Sequence, residues 1–279
     1  MKKIFIILLT LILTLSLTTT AFAAVYPANG DNISWDTAQE LPMSTQTPDE
    51  FMANNSANQH VAVGTLSPGQ EHWYKIFLSA NPKTVLSINT WGLSANVLDS
   101  DLNIISSEYF AKDPIKLGSV PKYVNIQSAG YYYIRLYDAS STGEYRVLMG
   151  KPTYLTGKYT YNGSTMTLTP TVSSQQTTIN LSNITAIPNS ALVHTITMNG
   201  TKTGTISSGE TRGMKHETDS AFISKTYSPW EVTYSLSQNK TAKSSWKFQW
   251  SGTVKSGKTS TLVPEITFRY TYPVTPETY

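Results

Sequence analysis

The stretch from Tyr131 to Tyr137 alternates strictly between two faces, and this period of two constrains the fold more than any other feature of the chain. One face carries the more apolar set, which is Tyr132, Ile134 and Leu136. The other face carries Tyr131, Tyr133, Arg135 and Tyr137. Because successive side chains of a β-strand point to opposite faces, the pattern predicts a half-buried strand. A second alternation (Tyr145, Val147, Met149) follows the turn residues 140–143, so we interpret residues 129–150 as a hairpin.

Similar short runs recur along the rest of the chain, with turn residues and no helical pattern between them. They lie at residues 61–65, 73–78, 85–91, 123–126, 230–236, 246–250 and 266–272. Charged residues make up only 14% of the chain, a composition that favours strands and turns. We therefore predict an all-β protein with two consecutive antiparallel β-sandwich domains. The first, jelly-roll-like, covers 28–150 and the second covers 151–279, because Gly150 and Pro152 interrupt the pattern between them.

The second half carries two further local signals. Asn162-Gly163 and Asn199-Gly200 each separate alternating segments, which predicts two hairpins because both residue types tolerate positive φ. Large aromatic side chains also recur at period two on the last strands, and we interpret them as sandwich core and not as a sugar-stacking platform. They are Trp246, Phe248, Trp250, Phe268, Tyr270 and Tyr272.

Residues 1–24 have the layout of a secretory signal peptide. Lys2-Lys3 precede an apolar run of 14 residues (4–17), and Ala21-Phe22-Ala23 form a small-x-small cleavage site. The apolar run is shorter than the roughly 20 residues that a membrane helix needs, so we predict export and not a membrane anchor. Cleavage lowers the formal charge from +3 to +1, because the two lysines are the only charged residues removed. A nearly neutral chain without a basic tract is not expected to bind nucleic acid.

The chain contains one nucleotide-binding pattern and one small group of titratable residues, and neither has the sequence context that its chemistry requires. Residues 252–259 satisfy the phosphate-binding pattern G-x-x-x-x-G-K-[ST]. A phosphate-binding loop must lead into a helix, but Pro264 and β-branched residues follow here. We therefore predict that this segment is a hairpin turn and that it binds no nucleotide. His216 with Glu217 and Asp219 is the group that most resembles a cluster of titratable residues, and we expect it to lie in a solvated loop. The chain contains no cysteine, which excludes disulfides and thiolate metal sites. Nothing argues for an enzyme.

An ordered series of motifs resembles the bacterial pre-peptidase C-terminal domain family. The matching segments are Val63-Gly64-Thr65-Leu66 with Pro68-Gly69, Trp73-Tyr74-Lys75-Ile76-Phe77, Leu98-Asp99-Ser100-Asp101, Gly130-Tyr131-Tyr132-Tyr133-Ile134 and Gly143-Glu144-Tyr145. This family consists of small β-sandwiches appended to secreted bacterial enzymes, and it is related to the collagen-binding domains of secreted collagenases. The resemblance implies an accessory module whose function is binding.

The resemblance also raises the question of calcium, which the collagen-binding members bind through an acidic, Asn-rich N-terminal segment. The comparable segment here offers Asp31, Asn32 and Asp36, with Asp99 or Asp101 as further carboxylates, and lacks the paired glutamate. Calcium takes six to eight oxygen ligands. The sequence requires no cofactor. We treat these residues as calcium candidates, but we favour loop caps and Asx turns as their role.

The tyrosine-rich strand supplies the candidate ligand-binding residues, which are Tyr131, Tyr133, Arg135 and Tyr137. Tyr and Arg are favoured at binding hot spots because they bury area at little entropic cost and still form hydrogen bonds. We therefore predict a secreted, non-catalytic protein that binds an extracellular polymer, matrix protein or cell-envelope component. If other chain segments cover this face, the tyrosines only support the sheet. Two alternatives remain, namely an accessory or chaperone-like module for a separately encoded protease, and a membrane-active β protein.

Overall fold

The computed structural model describes residues 23–90, 92–111 and 119–279. Strands make up 55% of the chain and helices 3%, which confirms the all-β prediction. Contacts divide the chain into two compact units, the first ending at Pro152 and the second running from Thr153 to Tyr279. Almost all of the predicted signal peptide, residues 1–22, lies outside the described residues.

The described part of the first unit contains ten strands and one short helix. The strands are β1 (Ala24–Pro27), β2 (Gln39–Glu40), β3 (His60–Leu66), β4 (His72–Leu78), β5 (Asn81–Ile88), β6 (Leu93–Leu98), β7 (Ile104–Phe110), β8 (Lys122–Ile126), β9 (Gly130–Tyr137) and β10 (Gly143–Gly150). Helix α1 (Pro48–Met52) begins with a capping box formed by Thr47 and Glu50. Within the described ranges, no helix has the length and apolar character needed to cross a bilayer.

These strands form two five-stranded sheets. Sheet A has the order β1-β3-β10-β5-β8, and sheet B has the order β2-β4-β9-β6-β7. All pairs are antiparallel except β1 with β3 and β2 with β4, which are parallel. Without the added strands β1 and β2, the orders β3-β10-β5-β8 and β4-β9-β6-β7 are those of an eight-stranded jelly roll. The predicted jelly-roll-like sandwich is confirmed, and its first sheet includes residues that precede position 28.

The two tyrosine-rich strands do not form the predicted hairpin. Strand β9 pairs with β4 and β6 in sheet B, whereas β10 pairs with β3 and β5 in sheet A. Residues 138–142 therefore carry the chain from one sheet to the other. The alternation correctly identified two strands and their buried faces, but it contains no information about hydrogen-bonding neighbours, so the predicted pairing was wrong.

A short chain of hydrogen bonds joins sheets A and B inside the core. The Tyr145 hydroxyl, from β10, lies 2.5 Å from His72 Nδ1 and 2.5 Å from the Tyr74 hydroxyl, both from β4. We call these three residues the inter-sheet clasp. Burial raises the pKa of both tyrosines and lowers the pKa of His72, which favours the neutral form of all three groups. With a neutral imidazole, Tyr74 can donate to Tyr145, and Tyr145 can donate to His72.

Gly64 provides the space in which Tyr145 reaches across. Gly64 lies directly opposite Tyr145 in the β3–β10 pair. A Cβ atom at this position would lie 2.7 Å from Tyr145 Cζ and 2.9 Å from the Ala28 Cβ, both too close for normal contact. The Tyr145 ring is fully buried and cannot move away freely. The glycine is therefore required by the packing of the clasp.

The described second unit contains nine strands and one turn of 3₁₀ helix at Leu236–Gln238. The strands are β11 (Tyr154–Asn162), β12 (Met166–Leu168), β13 (Ser174–Asn180), β14 (Leu192–Gly204), β15 (Ser208–His216), β16 (Ile223–Lys225), β17 (Glu231–Thr233), β18 (Ser245–Thr253) and β19 (Ser260–Pro273). Sheet C has the order β11-β19-β14-β17, with β12 also paired to β19, and sheet D has the order β13-β18-β15-β16. Trp246, Phe248 and Trp250 are completely buried between them, which confirms that they belong to the core.

Both Asn-Gly pairs lie in places that the hairpin prediction did not anticipate. Strands β11 and β12 flank Asn162-Gly163 but pair one after the other with β19, and Asn199-Gly200 lies within β14. A Cβ atom on Gly163 would lie 2.7 Å from Pro264 Cγ, and one on Gly200 would lie 2.9 Å from Pro264 Cα. The two glycines therefore allow their strands to approach β19 closely, and both predicted hairpins were wrong.

The loop that resembles a phosphate-binding motif is also not a hairpin turn. Residues 254–259 connect β18 of sheet D to β19 of sheet C. The chain enters a 14-residue strand where a phosphate-binding loop would enter a helix. The geometry required to hold a nucleotide is therefore not formed by this segment.

Substitution Gly64→Ala should destabilise the protein by about 1–3 kcal/mol, because the added methyl group overpacks the site against Tyr145. Urea denaturation would measure the change. Gly143→Ala is a matched control on the same strand pair, since a Cβ atom there meets nothing within 4 Å. Equal stability losses in the two variants would contradict the packing argument.

The free energy of unfolding should fall as the pH is lowered from about 7.5 to 5.5. Burial lowers the pKa of four histidines in the folded state: His60, His72, His194 and His216. In the unfolded chain the histidine pKa is about 6.5, so near this pH the unfolded chain binds more protons than the folded chain. The histidines' contribution to the free energy of unfolding is thus fully present above a pH of about 6.5 and is lost as the pH falls below it. His72→Gln should reduce the slope in a series of urea titrations. A flat or rising profile for the parent protein would refute the prediction.

Candidate functional site

The four predicted ligand-binding residues all lie on the outer face of sheet B. The buried side chains Tyr132, Ile134 and Leu136 occupy the inner face of β9, so Tyr131, Tyr133, Arg135 and Tyr137 point outward. Neighbouring β4 presents Trp73, Lys75 and Phe77 on the same side. The register places Tyr131 opposite Phe77, Tyr133 opposite Lys75, and Arg135 opposite Trp73. We call this surface the aromatic face.

Arg135 is held by Glu71 at one end of the aromatic face. Its Nε donates to Glu71 Oε2 at 3.0 Å, and its Nη2 donates to Oε1 of the same carboxylate. The Trp73 indole also donates to Oε2, at 3.0 Å. Hydrogen bonding from Arg135 is the main reason that the pKa of Glu71 lies below its usual value. The guanidinium is therefore paired within the protein, which makes Arg135 a positioning residue for this face.

Tyr137 is also tied into the sheet. Its hydroxyl donates to Asn96 Oδ1 at 3.2 Å, and its ring centroid lies 4.5 Å from the Arg135 guanidinium carbon. Both Tyr137 and Tyr133 are half-buried. These two tyrosines offer part of their rings to a ligand, but the Tyr137 hydroxyl is occupied.

The opposite end of the aromatic face is open. Tyr131 and Phe77 are 48% and 52% exposed, and their rings pack edge to face with centroids 5.3 Å apart. The Lys75 ammonium lies 4.6 Å from the Tyr131 ring centroid. Among the described residues the Tyr131 hydroxyl has no hydrogen-bond partner. This end therefore combines two accessible rings, one free hydroxyl and one positive charge.

Exposed apolar side chains also occur on the edge strand β7, beyond β6. Tyr109, which is 56% exposed, lies opposite Ser94 on β6, and Ser94 in turn lies opposite Tyr137 on β9. Leu98, which is buried, similarly lies between Tyr133 and the exposed Ile104. The outer side of sheet B therefore carries exposed apolar side chains on β4, β9 and β7, separated at β6 by polar or buried residues.

Sequence reasoning missed the contributions of β4 and β7 to this side of sheet B. The alternation around Trp73 and Phe77 was visible, but it contains no information about the register between β4 and β9. Glu71 precedes its strand and carried no signal of its pairing with Arg135, 64 positions away. Only the pairing of distant strands identifies these neighbours.

The N-terminal calcium candidates have structural contacts. Asn32 is completely buried; its backbone oxygen accepts from the Trp73 N–H at 2.7 Å, and its side-chain Nδ2 donates to the Trp73 carbonyl at 3.4 Å. Asp36 accepts from the Ser34 hydroxyl at 2.5 Å, which lowers its pKa, and Asp31 is exposed. Over the described ranges, no group of three or more His, Cys, Asp or Glu side chains could hold a metal ion.

The other acidic candidates serve their own turns. Asp99 accepts from the backbone N–H groups of Asp101 and Asn103 at 2.9 and 2.8 Å, the arrangement of an Asx turn. These local hydrogen bonds, with the Asn103 side chain first, lower the pKa of Asp99.

The histidine loop of the second unit is likewise internally bonded. His216 is buried against Trp246, with ring centroids 4.7 Å apart, and its Nδ1 lies 2.8 Å from the Thr218 hydroxyl. Asp219 forms an ion pair with Lys240. The expectation of a solvated loop was wrong for His216, because its ring completes the aromatic core of the unit.

Comparison with known proteins supports the fold alone. No family model and no curated protein sequence matches the chain. A crystal structure of a protein from Eubacterium rectale, assigned as secreted, matches with a TM-score of 0.57 and 13% identity, covering 92% of this chain and 86% of that chain. The glycosylasparaginase PNGase F from Flavobacterium meningosepticum matches with a TM-score of 0.24 and 7% identity over 75% of this chain and 96% of that one. That second similarity is too low to support any conclusion. The resemblance to the pre-peptidase C-terminal family therefore rests on the quoted motifs.

A double-mutant cycle on Glu71→Gln and Arg135→Gln should give a coupling energy of about 1 kcal/mol, because the pair is bidentate and only about one-third exposed. Urea denaturation of the four proteins would measure it. The Glu108–Lys122 pair, at 3.5 Å and similarly exposed but with one contact, is the matched control and should show less coupling. Equal coupling in the two cycles would argue against a special role for Glu71.

Proposed function

We propose that this protein is secreted and non-catalytic, and that it attaches to an extracellular polymer, matrix protein or cell-envelope component through the aromatic face. The observation that carries the proposal is the exposed Tyr131–Phe77 pair with the Lys75 ammonium beside it. An exposed pair of large rings on a regular sheet contributes little to the free energy of folding. The same rings contribute considerably more to the free energy of binding when a ligand covers them.

The chemistry of this end suits contact with a ligand that has both apolar and polar surface. Each ring has few rotatable bonds and loses little entropy on contact, and no described residue forms a hydrogen bond with the Tyr131 hydroxyl, which can therefore bond to a ligand. Phe77 and Tyr131 lie on paired strands, so the rings are already in place before a ligand arrives. A preorganised aromatic surface of this kind favours binding over bond making.

The shape of the face favours an extended ligand. Tyr131 and Tyr137 are six residues apart on one strand, a distance of roughly 20 Å at about 3.3 Å per residue. The Glu71–Arg135 pair neutralises the charge in the part next to Tyr137, so Lys75 supplies the unpaired charge near the open end. A linear chain with repeating ring or side-chain contacts would match this strip.

Export is proposed on the basis of residues 1–24, with their lysine pair, apolar run and small-x-small site. The resemblance to the pre-peptidase C-terminal family adds the expectation of an accessory role outside the cell. A non-catalytic role is proposed because Asp99, Asp219 and His216 are engaged in a turn, an ion pair and core packing, respectively. Calcium dependence is included as a variable in the test.

The proposal predicts that the protein is retained on at least one of immobilised collagen, peptidoglycan, chitin and cellulose, measured with and without calcium. The double substitution Tyr131→Ala with Phe77→Ala should abolish retention, because it removes both accessible rings. Tyr131→Phe should weaken retention less, since only the hydroxyl is lost. The thermal midpoint should change little in both variants, because surface substitutions usually alter stability by at most about 0.5 kcal/mol.

Tyr227→Ala is the matched control, since Tyr227 is an exposed tyrosine of the second unit. This variant should be retained like the parent protein. Retention that survives the double substitution would exclude the aromatic face as the binding surface. Retention on none of the four materials, combined with co-purification with a secreted protease, would instead favour an accessory module for that enzyme.

A further inference from the structure

The outer face of sheet C contains a small pocket with an unusual concentration of positive charge. Its volume is about 320 Å³, and it is lined by Thr156, Gly157, Lys158, His194 and Arg269. These residues come from β11, β14 and β19, three adjacent strands of one sheet. The lining includes two cations and an imidazole and no carboxylate.

The two cations are neighbours on paired strands, and no described carboxylate forms an ion pair with either of them. Lys158 lies directly opposite Arg269 in the β11–β19 pair, and both side chains are exposed. Like charges placed directly across a strand pair destabilise a sheet. Within the described part of the chain, neither side chain forms a hydrogen bond or an ion pair. The fold thus maintains an unfavourable arrangement that an anion would relieve.

A second like-charged pair in the same unit shows how the pocket differs. Lys215 and Lys247 also lie opposite each other, in the β15–β18 pair. The Lys215 ammonium donates to the Ser220 carbonyl at 3.1 Å, so one of these two charges is already engaged. At the pocket, both charges remain available to a ligand.

A β-bulge places the histidine beside these cations. The register of β14 against β19 shifts between Val193 and Thr195, which leaves His194 as the extra, unpaired residue. Bulges redirect side chains and are frequent next to functional sites. His194 Nδ1 lies 3.0 Å from the Thr195 hydroxyl, and no described residue forms a hydrogen bond with its Nε2.

Burial and the charges of Arg269 and Glu231 all act on the His194 imidazole. Burial, followed by the nearby Arg269, lowers its pKa, and Glu231 acts in the opposite direction. The Glu231 carboxylate accepts a hydrogen bond from the Thr197 hydroxyl at 3.3 Å and is not part of the pocket lining. An anion in the pocket would reverse the balance at His194 and favour its charged form.

We propose that this pocket binds an oxyanion, namely a sulfate, carboxylate or phosphate group, through Lys158, Arg269 and His194. The guanidinium can hold two oxygens in a bidentate contact, and the ammonium can neutralise the remaining charge. The volume lies at the lower end of the range for small-ligand pockets and exceeds that of one water molecule about tenfold. That space suits an oxyanion attached to a larger group, such as one unit of an acidic polysaccharide.

Isothermal titration calorimetry on the full protein would test the proposal with five probes: inorganic sulfate, inorganic phosphate, dextran sulfate, polygalacturonate and uncharged dextran. We expect binding to at least one anionic probe and none to uncharged dextran. The free ions and the polymers distinguish a small-anion site from a polymer site. The double substitution Lys158→Gln with Arg269→Gln should weaken binding by at least about tenfold, because it removes two charge-assisted contacts.

The matched control is Lys247→Gln with Lys255→Gln, which removes the same net charge from exposed positions outside the pocket. Its affinity should stay within about twofold of the parent value. Equal losses in the two double variants would show diffuse charge attraction and overturn the proposal, as would unchanged affinity in the pocket variant or no binding to any anionic probe.

A second readout follows His194 itself. Saturation with the best anionic probe should raise the His194 imidazole pKa in an NMR titration, because a bound anion stabilises the imidazolium. The pKa of the buried His216 serves as the internal control and should not move. An unchanged His194 pKa at saturation would place the anion elsewhere and refute the assignment.

Discussion

The contact between Tyr145 and the pair His72–Tyr74 fixes the first unit, because it joins the two sheets by hydrogen bonds inside an apolar core, whereas the Glu108–Lys122 ion pair joins them at a partly exposed position. A buried hydroxyl without a partner costs about 1–3 kcal/mol, so the sheets cannot slide without leaving at least one of the three groups unsatisfied. The clasp also fixes which face of β4 points inward. Trp73, Lys75 and Phe77 are directed outward as a consequence, and the candidate binding surface exists because of that orientation.

The aromatic face divides into a rigid part and an accessible part. The rigid part is held together by hydrogen bonds and ring contacts among its own side chains, which are Glu71, Arg135, Trp73, Tyr137 and Asn96. Tyr131 and Phe77 lack such bonds and present their rings to the exterior. Binding surfaces are most effective when a few anchors are held by neighbours that already satisfy one another, because less freedom is then lost on contact. Arg135, which sequence reasoning placed among the ligand contacts, is paired with Glu71, and its contact with a ligand stays a prediction.

The outer surfaces of the two units carry different chemistry. Sheet B presents rings, whereas sheet C presents Lys158 and Arg269 with His194 beside them. The difference arises at positions that face away from the cores, where packing imposes no requirement on the side chain. Inside, both units follow the same rule of alternating large apolar residues, with Trp246, Phe248 and Trp250 as the clearest example. The cores account for the fold, and the outward positions account for the proposed interactions.

The sequence by itself determined that the chain is all-β and which side of several strands is buried, as at Tyr132–Leu136 and Trp246–Trp250, because alternation is a local property of the backbone. Tertiary structure alone decided which strands are neighbours. It placed β9 and β10 in different sheets and both Asn-Gly pairs next to Pro264. It also placed distant side chains in contact or in register, namely Glu71 with Arg135, Phe77 with Tyr131 and Lys158 with Arg269. The physical reason is that the period of a strand is set by consecutive residues. Register and pairing depend instead on the free energy of packing distant segments together, which no short stretch of sequence contains.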